Sequence, residues 1–530
     1  MSESQGIPGR VAVALFALLT IGALVALRLP LRLPPAPVLP MPALPDGSEV
    51  HVWLSTQDRR LRLARQPDIP VTVSDADAPP PRADIVIDTR RTLQTITGFG
   101  AAMTDASAWL LDHAMDDDQR FAFLQEMFGP PPGLNLDMTR VSIGASDFSL
   151  KPYTLDDMPA GQTDPALAHF NIAADLRDLI PVLRETMEIN PDLHIIASPW
   201  SAPAWMKSID ALNGGTLQTQ YEAVYAQYLL KYVDAMQAQG IPIWAMTVQN
   251  EPGFEPLTYP GMLLPAAARA RIIGQYLGPA LAGRDPHPLI LDWDHNWDAP
   301  EQPLAVLADA AARRYVAGVA WHCYAGDVSA QSRVHKAYPD KDAYLTECSG
   351  GDWDSARNGE LLLFAHDILM DSLRNWARGA VYWNIALDEK HGPHAGGCTE
   401  CKGMVTIDAK TGAIHRNDEY YAFAHYSRFV LPGAVRVWST DSGHGIHNVA
   451  FRNAGDDSMV LVVANDAKQP RDVRVVQDQL FFEYAMPPES VATFTWNESL
   501  ATHSWERRVR RLIDKALRAA TPGAAHGRTK

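Results

Sequence analysis

Four cysteines in 530 residues are too few to staple a chain of this size, so its stability has to come from a hydrophobic core. Basic residues are also in short supply. Lys and Arg number 46 against 62 Asp and Glu, a formal net charge of -16 with a pI near 5.5. Phosphate backbones need a basic surface, so nucleic acid is excluded as principal partner and an uncharged substrate fits better. No GxSxG, HExxH or P-loop occurs, which leaves serine hydrolase, zinc protease and nucleotide hydrolase chemistry without support. No repeat points to a solenoid or propeller. The glycines of Gly98-Phe99-Gly100 do not complete a dinucleotide fingerprint, which argues against an open doubly wound sheet.

What is present begins with one long apolar run, Val11 to Leu27, preceded by Arg10 and followed by Arg28 and Arg32. This reads as a signal anchor, with a cleaved signal peptide as the alternative, and predicts an exported protein, periplasmic or extracellular. Pro30 to Pro45 is proline-dense and expected to be an extended spacer. At the other end, Trp505 to Arg518 is a basic amphipathic helix candidate with Val509, Leu512, Ile513 and Leu517 on one face. It could dock on the acidic body or touch an anionic membrane.

From about residue 95, short apolar strands alternate with longer helical stretches, the pattern of βα units. Eight strands are expected: 95–100, 138–143, 194–199, 243–249, 289–293, 316–321, 343–346 and 380–384, with helices such as 220–239 and 360–378. Eight such repeats predict a closed (β/α)8 TIM barrel. Residues 50–54 and 84–88, and short alternating segments after Gly433, predict a side β-sandwich formed by both flanks of the barrel. The expected division is 1–33 signal peptide or anchor, 34–46 linker, 47–94 first sandwich strands, 95–429 barrel, 430–497 remaining sandwich and 498–530 basic tail.

Two glutamates stand where such strands end: Glu251, after the run from Ile243, and Glu347, after the run from Ala343. Cleaving a glycosidic bond needs one carboxylic acid to protonate the leaving oxygen and one carboxylate to meet the positive charge at the sugar carbon. Neither metal nor cofactor is required. If both carboxyls share a cleft, the charge on one is expected to keep the other protonated near neutral pH. The competing reading of either glutamate alone is a structural ion pair at a strand end. Their joint placement on the fourth and seventh strands favours chemistry.

Asp292 to Asn296 fits the start of a calcium loop, but Trp297 and Pro303 replace its glycine and final glutamate, so calcium is not expected; Asp294 or His295 is a candidate to line the cleft. Cys398 and Cys401 form a CxxC that could be a disulfide, half of a metal site or two thiols. Cys323 and Cys348 sit beside the candidate catalytic strand ends, with a local bridge or free thiols expected in place of structural zinc.

Seven segments, in order, carry a resemblance: GFGAAMTD from Gly98, RVSIGASDFS from Arg140, ASPWSAPAWMK from Ala197, QNEP from Gln249, WHCY from Trp321, TEC from Thr346 and YWN from Tyr382. Together they resemble glycoside hydrolase family 30, the glucosylceramidases, β-1,6-glucanases and related enzymes, over about residues 50 to 497. The resemblance implies a barrel with a side β-sandwich and a retaining double displacement, with Glu251 as acid/base and Glu347 as nucleophile. It also implies that Asp147 and Trp200 hold the non-reducing-end sugar, Asn250 contacts its 2-hydroxyl, Tyr324 bonds Glu347 and Trp383 stacks on substrate. Gln249, Tyr259 to Met262 and the loop from Gly392 to Cys401 look closer to the microbial β-1,6-glucanase and β-glucosidase branch, so a β-glucan or β-glucoside is preferred to a glycolipid. From a different class, a carbohydrate-binding protein without turnover is the alternative, opposed by the retention of both carboxylates.

Overall fold

The computed structural model describes residues 49–497 apart from 74–81, 285–286, 354–358, 441–442 and 444. The expected signal segment, proline-rich linker and basic tail all lie outside the described residues. Among those described, no helix is long and apolar enough to cross a membrane.

Eight parallel strands close into a barrel: β1 (Gly98–Ala101), β2 (Met138–Ile143), β3 (His194–Pro199), β4 (Ala245–Thr247), β5 (Leu289–Asn296), β6 (Val316–His322), β7 (Asp342–Glu347) and β8 (Ala377–Tyr382). Each pairs with the next, and β8 returns to β1 through Gly379↔Gly98 to Tyr382↔Ala101. The runs were legible because such strands are buried on both faces, as the wholly buried β2 illustrates. Inside the barrel, Met138, Ile196, Ala245, Leu291, Ala320, Tyr344 and Val381 fill the floor.

Helix Glu222–Ala238 buries Tyr225, Tyr228, Leu229, Tyr232, Val233 and Met236, the stripe its spacing predicts. The helix expected over 360–378 stops earlier. Its last turn is Asp371–Arg374, after which Trp376 takes a φ of 79° and the chain turns into β8. Ladder pairing in β4 is also shorter than the apolar run suggests, although Trp244 N–H still donates to Ile195 O at 2.9 Å just before it.

Both flanks of the barrel build one continuous ten-stranded order. Strand Glu49–Thr56 pairs antiparallel with Ser490–Asn497, and Ile85–Thr95 runs beside Val435–Ser439 and Arg471–Gln477. Val50, Val52, Leu54, Ile85 and Ile87 from the first flank share a core with Leu461, Val463, Phe482, Phe494 and Trp496 from the second. This is the sandwich expected from the alternating segments, and it leaves the C-terminal mouth of the barrel free.

Candidate active site

The strand ends converge on a cavity of about 610 Å³ whose lining includes Asp147, Glu251, Tyr259, Tyr324, Glu347, Trp353 and Trp383. Glu251 sits just past β4, in the left-handed region with φ of 46°, a conformation costly for a residue with a side chain. Its N–H donates to the carbonyl of Asp294 at 3.0 Å, tying it to the end of β5. Glu347 is the last residue of β7. One carboxylate oxygen of Glu251, one of Glu347 and one ring nitrogen of His322 all lie within 4.8 Å of one another.

Beneath the two glutamates is a buried charge network. Arg140 on β2 is fully enclosed and donates from Nη1 to Glu347 Oε2 at 2.6 Å, and from Nη2 to Asn250 Oδ1 at 2.7 Å and Asp294 Oδ2 at 2.8 Å. Its guanidinium lies 4.8 Å from the ring centre of Trp200 and 5.4 Å from that of Trp383, within cation–π range of both. Asp294, also fully buried, accepts from Ser198 at 2.9 Å and Thr247 at 2.8 Å on Oδ2, and from Thr346 at 2.7 Å on Oδ1. A buried carboxylate with this many donors stays ionised. Burial alone would raise its pKa, but Arg140 and His322 hold Asp294 well below the usual carboxylate range.

His322 at the end of β6 bridges the network to the cavity. Its Nε2 is 3.1 Å from Asp294 Oδ1 and its Nδ1 is 3.1 Å from Glu251 Oε1. Burial opposes protonation of this imidazole, but Glu347, Asp294 and Glu251 outweigh it and push the pKa up to about 9. Glu251 responds in the opposite sense. Burial would raise it, yet the hydrogen bond and charge of His322 lower it. The expectation that the charge of Glu347 keeps Glu251 protonated is therefore corrected: His322 and Arg140 lower the Glu251 carboxyl, while the carboxylates around His322 favour the imidazolium.

The remaining residues singled out in the sequence fall as follows. Tyr324 donates its hydroxyl to Glu347 Oε1 at 2.9 Å. Asp147 lines the cavity, and burial together with the charges of Glu347 and Glu251 pushes its carboxyl up to about 8. Trp383 forms part of the wall, and Trp200, equally buried, stacks on it with ring centres 5.2 Å apart. Asn250 is buried and held by Arg140, which donates to its side-chain carbonyl. His295 stands 3.9 Å from Glu251 Oε1, while Asp294 lies below the floor and does not line the cleft. Arg140 and His322 were absent from the expected site, and Asp294 was expected only at the cleft wall. The available signal was an Arg and an Asp on strands that a barrel buries, which forces them to pair.

All four cysteines are disulfide-bonded, Cys323 to Cys348 and Cys398 to Cys401. The first bridge joins the residue after His322 to the residue after Glu347. The second closes a turn beside Gly397, where an added Cβ would lie 2.6 Å from Asp147 Cβ. Thiol and zinc readings of the CxxC are thereby replaced.

Comparison with known proteins follows the same division of the chain. The glycosyl hydrolase family 30 TIM-barrel domain matches residues 96–430, and the glycosyl hydrolase family 30 beta sandwich domain matches residues 433–494. An endo-1,6-beta-D-glucanase of Neurospora crassa is 38% identical over 387 residues, covering 70% of this chain and 79% of that protein. A putative glucosylceramidase 2 of Caenorhabditis elegans is 34% identical over 400 residues, covering 72% and 76%. Among solved structures, an endo-beta1,6-glucanase superposes with a TM-score of 0.77 at 31% identity, covering 85% of this chain and all of that one.

Proposed function

The chain belongs to glycosyl hydrolase family 30, and from that premise we propose that it hydrolyses β-1,6-linked glucan with net retention, Glu347 acting as nucleophile and Glu251 as acid/base. The observation that carries this reading is the approach of the two carboxylates to within 4.8 Å across the cavity. Retaining glycosidases keep the carboxyl groups about 5 to 5.5 Å apart, whereas inverting ones leave room for a water.

Glu347 is aimed by Arg140 Nη1 on one oxygen and the Tyr324 hydroxyl on the other. It attacks the anomeric carbon as the glycosidic bond breaks. The leaving oxygen takes a proton from Glu251, which draws it from His322 along their hydrogen bond. Asp294, an acceptor only, keeps hydrogen on Nε2, so it is the Nδ1 proton that moves. Once the ester forms, the negative charge of Glu347 is gone. With His322 now neutral, Glu251 is left ionised as the base for the incoming water, and the proton it takes returns to His322 Nδ1 as Glu347 is released from the ester. Asp147, Asn250 and Trp383 hold the reacting glucose, with Trp200 bracing Trp383 and Arg140 from behind.

We divide the chain into a barrel of 95–429 between sandwich flanks of 47–94 and 430–497. Export is the localisation we propose, since both cysteine pairs are oxidised and disulfides persist outside the cytosol. Anchoring through residues 11–27 and membrane contact through the basic tail stay within that proposal. Glucosylceramide is the second substrate to test, because Phe254 and Leu257 expose apolar side chains at the rim. Products from β-1,6-glucan, glucosylceramide, β-1,3-glucan and xylan should be analysed, with proton NMR following anomeric configuration. Release of β-configured gluco-oligosaccharides from β-1,6-glucan alone is expected. An α-anomer as first product, or unchanged turnover by Glu347→Gln, would refute the assignment.

A further inference from the structure

The turn closed by the bridge from Cys398 to Cys401 belongs to the connection after β8, and Gly397, Cys398 and Cys401 all line the substrate cavity. The proton and nucleophile chemistry gives this bridge no task. We infer that the disulfide is a positioning element for substrate binding: it holds residues 395–402 as a strap across the mouth of the barrel and so fixes the Asp147 carboxyl against the bound sugar. The inference rests on the sugar-holding role proposed above for Asp147.

The strap touches three other strand-end loops. Toward the loop after β2, Ala395 N–H donates to Asp147 O at 3.1 Å. Toward the loop after β4, Gly397 N–H donates to Thr258 Oγ1 at 3.2 Å. Toward the loop after β7, Lys402 N–H donates to Gly350 O and Asp352 N–H to Glu400 O, each at 2.9 Å, around an antiparallel bridge of Gly351 with Cys401. Two glycines let the strap pass between the first two loops. At Gly396, with φ of 150°, an added Cβ would strike Thr258 O; at Gly397, with φ of 72°, it would lie 2.6 Å from Asp147 Cβ and 3.1 Å from Asp147 Oδ2. The strap backbone therefore backs the carboxyl itself. Around Asp147 the main chain is already held, by Ser146 N–H donating to Ser149 Oγ at 2.9 Å and Phe148 N–H donating to Ser146 Oγ at 3.1 Å. What the strap adds is the direction of the side chain.

A glycine pair is the part of a wall with most freedom to move, since glycine adopts either sign of φ at little cost. On its far side the strap reverses through Thr399 and Glu400, both exposed, before Cys401 joins the loop after β7. The disulfide spans that reversal. It ties Cys398, next to the glycines, to the buried and laddered Cys401. With a sequence separation of 3 against 25 for the other bridge, it removes less freedom from the unfolded chain, so its main consequence is local.

Full-length protein carrying Glu347→Gln, in which turnover is removed, tests this by calorimetric titration with gentiotriose, the β-1,6-linked glucose trimer. Adding Cys398→Ser with Cys401→Ser, Asp147→Ala, or all three completes a double-mutant cycle. Opening the bridge should weaken binding about fivefold, the worth of one hydrogen bond to the sugar, and less than about twofold where Asp147 is already Ala. A bridge that merely stabilises the fold would cost the same factor in both backgrounds. Gly397→Ala, which presses on Asp147 with the bridge intact, should give the same pattern and replaces the serine pair if that variant does not fold. Equal factors in the two backgrounds, an unchanged Kd on opening the bridge, or no gentiotriose binding by the parent would overturn the inference. Glucan hydrolysis with Glu347 restored tests the glycosidase reading separately: binding that obeys the cycle, without turnover, overturns that reading and leaves the role of the bridge standing.

Discussion

Replacing Asp294 by Asn changes one atom at the floor of the site and should selectively remove acid catalysis. The two oxygens of Asp294 are not equivalent. Oδ2 receives Arg140, Ser198 and Thr247, and Arg140 can only donate, so the amide oxygen of Asn must take that place. The amide nitrogen then faces His322 Nε2 and Thr346. It donates to Nε2, which holds His322 neutral with its one hydrogen on Nδ1, and passing that hydrogen to Glu251 would leave an imidazolate. Loss of general acid catalysis is worth about 10² to 10⁴ in rate, or roughly 3 to 5 kcal/mol of transition-state stabilisation. Aryl β-gentiobiosides with two leaving groups make the assay. With phenol, a poor leaving group that needs protonation, kcat/KM for D294N should fall by that factor. With 2,4-dinitrophenol, which leaves without help, the loss should stay under about tenfold. Because a buried ion pair loses a partner, stability should also drop by about 3 to 5 kcal/mol, so rates are compared well below the melting point. Equal losses with both leaving groups, or none with either, would refute the proton route.

Three further outcomes follow from the same geometry. Glu251→Gln should keep activity on the dinitrophenyl substrate and, with azide, yield a β-glycosyl azide, while Glu347→Gln gives neither product; an α-azide from the first variant would reverse the roles. Cys323→Ser with Cys348→Ser opens a bridge across 25 residues of sequence, and the loss expected in urea unfolding is about 3 kcal/mol. Turnover should fall with it, since the bridge aligns His322 and Tyr324 with Glu347; an unaltered kcat would show that packing alone does this. His322 has its folded pKa raised from 6.5 to about 9, so its contribution to stability, about 3 kcal/mol, is complete below pH 6.5 and lost as pH climbs through 9. Melting temperature from pH 6 to 10 should decline over that window, and less so in His322→Gln.

The sequence made the fold legible where local pattern suffices. Eight apolar runs ending in Gly, Pro or polar residues marked the barrel strands, and Glu251 and Glu347 were conspicuous as carboxylates at the ends of buried runs. Patterns local to each strand do not say which side chains meet across the floor. Arg140 and Asp294 are 154 residues apart, and nothing near either one announces the other. The direction of the Glu251 shift was hidden for the same reason: His322 and Arg140 reverse a conclusion that was sound for two carboxyls alone. Trp200 carries a motif as strong as that of Trp383, but only the folded packing puts it behind its partner. Both disulfides had been open readings beside free thiols, and only the fold brings each pair of sulfurs together.

The pairing of Glu49–Thr56 with Ser490–Asn497 ties the first described strand to the last. During synthesis, the early strand can pair at once with Ala64–Pro70, but its other edge stays bare until almost all of the polypeptide has left the ribosome. The barrel, complete by Tyr382, can form in that interval, whereas the flanking sheet cannot. An open edge of this kind is an invitation to aggregation, and loss of either strand would leave one edge of the other unpaired.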